Sequence, residues 1–266
     1  MSLFDIFPGD CVEVMRTLPA ESVDAVITSP PYAEQRKSTY GGIPEKDYPA
    51  WTVAWMREAR RLLKPDGSVI INISPHINKG QLSDYVLRTR LALRQDGWNE
   101  CDELIWHKTN AMPVGPNNRP RRSWESLLWY SKTPKCYTDP TANGAAPLRA
   151  TAVVTSGQHV KQGGFDHYTD GGNKNTTPKV ARSQNVVAMS KGSETTGHPA
   201  PFPWQLAEWC GRLICPPGGT VLDPFNGSGS TGVAALRNGW DYIGIEKVPE
   251  YVAMSKRRLA AIEDAA

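Results

Sequence analysis

The sequence predicts an α/β fold: a doubly wound, mostly parallel sheet interrupted by one large irregular insertion. Three observations predict it. β-branched runs alternate with amphipathic helical stretches at both ends of the chain. Two of those runs stop abruptly in turns rich in proline or glycine, where parallel sheets place ligands. Between about 108 and 197 the pattern lapses into Gly, Asn, Thr, Ser, Lys and Pro. The expected organisation is one domain in three stretches: 1–107, an insertion over 108–197, and 198–266.

Val23-Asp24-Ala25-Val26-Ile27 reads as a buried strand ending at Thr28. Pro30 and Pro31 follow, and a strand cannot continue through two residues that lack an N–H. A polar loop runs from about Ala33 to Lys46. Tyr48 to Leu63 then has helical spacing, with Trp51, Trp55, Ala59 and Leu62 on one face, and Lys64-Pro65-Asp66-Gly67 ends that helix. Ser68 to Ile73 is a second strand and Leu82 to Leu93 a second helix. Leu104-Ile105-Trp106 and Leu127-Leu128-Trp129-Tyr130 read as further strands. Past the insertion come a helix from Pro203 to Ile214, a strand at Thr220-Val221-Leu222 and a helix from Ser230 to Asn238. A strand at Tyr242-Ile243-Gly244-Ile245 and a helix from Pro249 to Ile262 complete the chain.

Composition narrows the class of protein. With 39% hydrophobic and 21% charged residues, the chain can build a core and is not of disordered type. The net charge of +3 says little, but its distribution says more. Lys108 to Lys191 holds twelve Lys/Arg against four Asp/Glu, a balance of +8, which leaves −5 for the rest. A basic segment on an acidic body suits a protein that docks on phosphates. The five cysteines include no CxxC pair, which argues against a disulfide framework or structural zinc and for a reducing, cytoplasmic setting. The five histidines show no metal-ligand spacing, so no metal is expected. No apolar run has the length of a membrane span or signal core, and no membrane partner is expected.

Two turns carry the chemistry. Asp223-Pro224-Phe225-Asn226-Gly227-Ser228-Gly229-Ser230-Thr231 lies between a strand and a helix, so glycine lets backbone approach a ligand beside free helical N–H groups. Glu246 ends the next strand, where an acid can hold ribose hydroxyls. No Gly-Lys-Ser/Thr follows, so the turn is not a P-loop, and only Gly227 and Gly229 fit a dinucleotide fingerprint cleanly. An acid ahead of the turn repels a pyrophosphate and suits the ammonium of S-adenosylmethionine. The other turn is Ser29-Pro30-Pro31-Tyr32. Its two prolines remove donors and leave carbonyls, which with the Ser29 hydroxyl can accept from an amine, while Tyr32 offers a ring for stacking. Taken singly, the glycine turn is also compatible with an ordinary strand-to-helix connection, and the proline turn with a strand-terminating turn that carries a surface tyrosine.

Together they resemble the amino-methyltransferases that act on DNA. Thr28-Ser29-Pro30-Pro31-Tyr32 is similar to that family's catalytic motif and the Asp223–Thr231 turn to its cofactor motif. Gly9-Asp10-Cys11, Leu18-Pro19 and Ser22-Val23-Asp24 match its lead-in to the catalytic strand. The order of catalytic turn, basic insertion and cofactor turn resembles the β class. The resemblance implies a Rossmann-like methyltransferase fold with a seven-stranded, mostly parallel sheet and a target-recognition region inserted at 108–197. It implies S-adenosylmethionine as cofactor, held by Asp10, Cys11 and Thr28, by His198, Pro199 and Phe202, by Asp223, Pro224, Phe225, Gly227, Ser228, Gly229, Ser230 and Thr231, and by Glu246 and Lys247. It implies double-stranded DNA as partner, acting as monomer or homodimer, with a cognate restriction endonuclease as a further partner.

Ser29, Pro30, Pro31 and Tyr32 are then the catalytic set, and the reaction is direct transfer to a flipped-out base. Ser29 favours the N4 amine of cytosine, with adenine N6 as the alternative. Carbon-5 methylation is excluded because no Pro-Cys pair supplies the nucleophile. Arg119, Arg121 and Arg122, beside Asn117, Asn118 and Trp124, form the candidate DNA-contact cluster. A non-catalytic DNA-binding module and a protein or RNA amino-methyltransferase are the competing classes. The intact turns argue against the first and the motif order against the second.

Overall fold

The structure is a computed structural model that describes residues 3–35, 41–112, 118–145, 180–191 and 202–263. Its main unit comprises Met1–Asp139 and Gln184–Ala266. In chain order the elements are β1 (Phe4–Pro8), α1 (Cys11–Thr17), β2 (Val23–Thr28), α2 (Tyr48–Leu62), β3 (Leu63–Ile73), β4 (Ile77–Asn78), β5 (Gln81–Leu82), α3 (Tyr85–Gln95), β6 (Asn99–Lys108) and β7 (Trp124–Ser131). They continue with β8 (Val186–Met189), α4 (Trp204–Ile214), β9 (Thr220–Asp223), α5 (Ser230–Arg237), β10 (Asp241–Glu246) and α6 (Pro249–Glu263).

One sheet runs in the order β1-β10-β9-β2-β3-β7-β6-β8. Its first five strands are parallel, β7 is antiparallel to both neighbours, and β8 is parallel to β6. From β2 the chain crosses through α2 to β3 on one side; from β9 it crosses through α5 to β10 on the other. The paired strands β2 and β9 therefore flank the point where winding reverses, and the crevice beyond their carboxyl ends is where such sheets bind ligands. Both predicted turns, after Thr28 and after Asp223, open there.

Side-chain alternation fills both faces. Val69, Ile71 and Ile73 of β3 join Met15, Tyr48, Trp55 and Leu93 on one side, while Ile70 joins Leu206, Leu213, Val233 and Leu259 on the other. All of β2 is buried, as expected of a central parallel strand, which explains why its sequence is mostly apolar. Its one acid is compensated: Asp24 accepts from Lys64 Nζ at 2.9 and 2.8 Å and from Thr220 N at 2.8 Å.

Three features differ from expectation. The strand predicted at Ser68 begins at Leu63, directly after α2. A Cβ on Gly67 would lie 2.8 Å from Asp24 O, so glycine is what lets Lys64-Pro65-Asp66-Gly67 run beside β2. The helix predicted from Leu82 begins at Tyr85, because Leu82 sits in the hairpin strand β5 and is 54% exposed. Among the described residues the main sheet has eight strands rather than seven. The extra one, β8, and the sheet strand β7 both come from the span 108–197. No helix among the described residues is long and apolar enough to cross a membrane.

The second unit is Pro140–Ser183. Ala181 N donates to Ala145 O and Ser183 N to Pro140 O, each at 2.9 Å, which brings its two described segments side by side.

Packing of α4 gives a first test. A Cβ on Gly211 would lie 2.4 Å from the ring of Trp240, itself buried. Gly211→Ala is expected to destabilise the fold by about 1–3 kcal/mol and lower the thermal midpoint by roughly 3–10 °C, read by calorimetry.

Candidate active site

The two turns are joined by one buried carboxylate. Thr28, the last residue of β2, donates its hydroxyl to Asp223 Oδ1 at 2.6 Å. The same oxygen accepts from Phe225 N at 3.0 Å, and Oδ2 accepts from the Thr231 hydroxyl at 2.7 Å. Asp223 is 1% exposed, and burial pushes its carboxyl up to about 6. Both oxygens are thus engaged by the protein. Asp223 thereby ties the end of β2, which leads into Ser29, to the glycine turn.

The glycine turn is shaped for close approach. Gly227 and Gly229 have φ of +52° and +81°, left-handed values that cost glycine nothing. Gly229 caps α5 without any side-chain bond, so N–H groups at that helix start are left for a ligand. Glu246, 3% exposed at the end of β10, accepts from Gly227 N at 2.7 Å through Oε2 and from Val248 N at 2.8 Å through Oε1. Its carboxyl is raised, first by burial. Pairing of β1 with β10 brings Asp10 and Cys11 alongside: Gly9 N donates to Glu246 O at 2.9 Å. Asp10 caps α1 by accepting from Val12 N at 3.0 Å. Cys11 packs in the core, and burial, then Asp10, pushes its thiol up to about 12, so it serves as packing rather than as a nucleophile. Lys247, exposed, acts electrostatically on that thiol from the end of β10.

Pro224, Ser228 and Ser230 are buried in the turn. Phe225 is half-buried, with its ring centroid 5.4 Å from Trp51 and 5.3 Å from Trp55. Trp51 was legible only as a helix-face residue, yet it lines the turn. Phe202 packs against the α4 side of the core. His198, Pro199 and Asn117 lie outside the described residues. The donor set fits S-adenosylmethionine: a left-handed glycine turn, helical N–H groups, a buried carboxylate at the neighbouring strand end and an aromatic wall.

At the proline turn Pro30 is buried and Ser29, Pro31 and Tyr32 are half-buried. Gln35 N donates to Tyr32 O at 3.1 Å and Glu34 N to Ile43 O at 2.8 Å, which folds the turn back on its loop. Tyr32 directs its hydroxyl inward, donating to Glu125 Oε2 at 2.8 Å. Asn72 Nδ2 lies 3.4 Å from Ser29 Oγ and 3.1 Å from Tyr32 Oη. Motif reading found neither Asn72 nor Glu125. The available signal was a polar residue inside the apolar run Ile71-Asn72-Ile73 for Asn72, and a charged residue at the start of the aromatic-rich strand Trp124-Glu125-Ser126-Leu127 for Glu125.

The candidate DNA cluster separates into two kinds of arginine. Arg119 and Arg121 are exposed and donate to the backbone carbonyls of Gly80 and Ala111, and Asn118 is exposed beside them. Arg122 is half-buried over the Trp124 ring at 5.3 Å, with Nε and Nη2 buried and unpartnered among the described residues.

Comparison with known proteins places this geometry. The family described as DNA methylase, of N6/N4 type, matches residues 23–257. The type II methyltransferase M.Cfr9I of Citrobacter freundii is 30% identical, over 96% of this chain and 87% of its own. M.PvuII of Proteus hauseri is 27% identical, over 95% and 82%. Among solved structures, the PvuII DNA methyltransferase (cytosine-N4-specific) superposes with a TM-score of 0.75 at 26% identity, covering 97% of this chain and 86% of that one. A Thermus thermophilus protein described as a putative DNA modification methylase, complexed with S-adenosylmethionine, gives 0.64 at 25% identity, covering 97% and 95%. The cofactor is S-adenosylmethionine and the substrate is DNA. The match over most of its length and the shared fold make this chain a member of the N6/N4 DNA methylase family.

Proposed function

We propose that the chain transfers a methyl group from S-adenosylmethionine to the N4 amine of a cytosine swung out of double-stranded DNA. The observation that carries this reading is the neutral end of β2. Ser29 presents a hydroxyl beside the amide of Asn72, in a turn whose two prolines contribute carbonyls and no donors. Ser29 Oγ and the Pro30 carbonyl accept the two N–H bonds of the amine, which turns the nitrogen lone pair toward the methyl donor. Tyr32 stacks on the base, offsetting part of the few kcal/mol that unstacking costs. When bound, S-adenosylmethionine would supply an electrophilic methyl group whose carbon–sulfur bond breaks to leave a neutral thioether, while one of the amine protons held by Ser29 and Pro30 is lost to solvent, so orientation and a water-poor pocket suffice without a covalent intermediate. The cytosine-N4 specificity of the similar PvuII enzyme supports the choice of base. The exposed Arg119 and Arg121 suit phosphate contacts, and the span 108–197 is the proposed target-recognition region.

The test is methylation of unmodified genomic DNA with labelled cofactor, followed by nucleoside mass spectrometry. N4-methylcytosine is the expected product. Label found only as N6-methyladenine would replace this reading with the adenine one.

A further inference from the structure

Behind the catalytic turn lies a polar cluster assembled by the sheet rather than by any motif. Register across β6 and β7 sets Glu125 opposite Trp106, two positions before Lys108, and register across β3 and β7 brings Asn72 opposite Leu127. Glu125 Oε2 accepts from Tyr32 Oη at 2.8 Å and from Asn72 Nδ2 at 2.8 Å, while Lys108 Nζ donates to Oε1. Asn72 is 4% exposed. A carboxylate can only accept, so Glu125 fixes which way the Asn72 amide faces. With Nδ2 turned to Glu125, Tyr32 and Ser29, the amide oxygen is left buried with no partner among the described residues.

We propose that Glu125 is a positioning residue for methyl transfer, acting through Tyr32 Oη and Asn72 Nδ2 to hold the stacking ring and the Ser29 hydroxyl in register with the target amine. The inference rests on the reading that Ser29 and Pro30 hold that amine. Its physical basis is the small number of freedoms involved. A tyrosine ring turns about two side-chain bonds: a charge-assisted bond at Oη fixes the first, and because the phenolic O–H prefers the ring plane, the direction of that bond biases the second. Burial, then Glu125, keeps the Tyr32 phenol well above its usual range, so its proton stays on oxygen and the bond is donated throughout the reaction. Lys108 neutralises the carboxylate from the other side. Burial lowers its ammonium while Glu125 raises it, and its Nζ sits 4.7 Å from the Trp106 ring centroid.

The experiment compares Glu125→Gln, Glu125→Asp, Tyr32→Phe, Ser29→Ala and the Tyr32→Phe/Glu125→Gln double variant in the full chain, with unmodified genomic DNA as substrate. Single-turnover transfer rate, S-adenosylmethionine affinity and thermal midpoint are measured for each. Glutamine has one acceptor oxygen and cannot serve Tyr32, Asn72 and Lys108 together. Aspartate keeps the charge but is too short to reach. Both are expected to slow the transfer step about tenfold to a hundredfold, with cofactor affinity within about threefold of the parent. The double variant is expected to be no more than about twofold slower than Glu125→Gln, because both changes remove the same bond. A Glu125→Asp rate within about twofold of the parent overturns the proposal, as does equal loss of cofactor affinity and rate. Ser29→Ala at the parent rate sinks the underlying reading of the turn. Ser29→Ala slow with both Glu125 variants unimpaired sinks only the role of Glu125.

Discussion

Asp223→Ala is expected to abolish measurable methyl transfer, raise the dissociation constant for S-adenosylmethionine at least about a hundredfold and cost about 2–4 kcal/mol of stability. Three donors converge on this side chain: the hydroxyls of Thr28 and Thr231 and the N–H of Phe225. Alanine strands them in a site that is 1% exposed, where each unmet group costs about 1–3 kcal/mol before relaxation. The damage falls on function as much as on folding. Thr28 immediately precedes Ser29 and Phe225 opens the cofactor turn, so losing their common partner lets donor and acceptor sites drift apart. Calorimetric binding of S-adenosylmethionine together with thermal unfolding separates the two effects. Near-parent affinity in a folded Asp223→Ala protein would show that the carboxylate does not set the turn.

Asp223→Asn isolates the charge. The carboxyl's ordinary value is 3.8 and in the fold it rises to about 6, chiefly through burial, so the folded state holds the proton more tightly. The stability this group contributes is fully present below the unfolded value and is lost as pH rises through about 6. A rise of that size corresponds to about 3 kcal/mol. Between about pH 4 and pH 7 the parent is expected to lose stability relative to Asp223→Asn, which has no proton to release. Parallel midpoints for the two proteins across that range would contradict the assignment.

Legibility followed burial. β2 and the centre of β3 are covered on both faces, so their apolar runs needed no partner to be recognised. The edge strands gave no such signal. β1 buries only Ile6, breaks its pattern with Asp5 and ends on Pro8, while β8 buries only Val187 in four residues. Within Lys64-Pro65-Asp66-Gly67 the residues of a helix stop are also those of a strand entry, and only pairing with β2 decides between them. The site divides in the same way. Both turns were readable because each is contiguous and chemically unusual. The bond between them joins residues 195 positions apart, and Glu125 reaches Tyr32 across 93 positions. Such partners follow from strand order, which local periodicity does not contain.

Glu246→Gln tests the other half of the cofactor site, with a different expected pattern. Glu246 holds Gly227 N and Val248 N through separate oxygens, and its own carbonyl accepts from Gly9 N. Glutamine keeps the volume and one acceptor, but its NH2 must face one of those donors, so either the glycine turn or the start of α6 loses its anchor. The loss of one charge-assisted bond, and of a carboxylate for the ribose hydroxyls proposed to bind there, weakens S-adenosylmethionine by about 10–100-fold. β9 separates β10 from the catalytic strand β2, and the Glu246 side chain bonds to Gly227 and Val248 rather than to Ser29 or Tyr32. At saturating cofactor the transfer rate is therefore expected within about threefold of the parent. Rate measured against cofactor concentration reads both quantities from one titration. A fall in the saturated rate at unchanged affinity would move Glu246 out of the cofactor site. A rise in KM alone leaves Asp223 as the residue through which the two halves of the crevice communicate, because its carboxylate holds the end of the catalytic strand and the start of the cofactor turn at once.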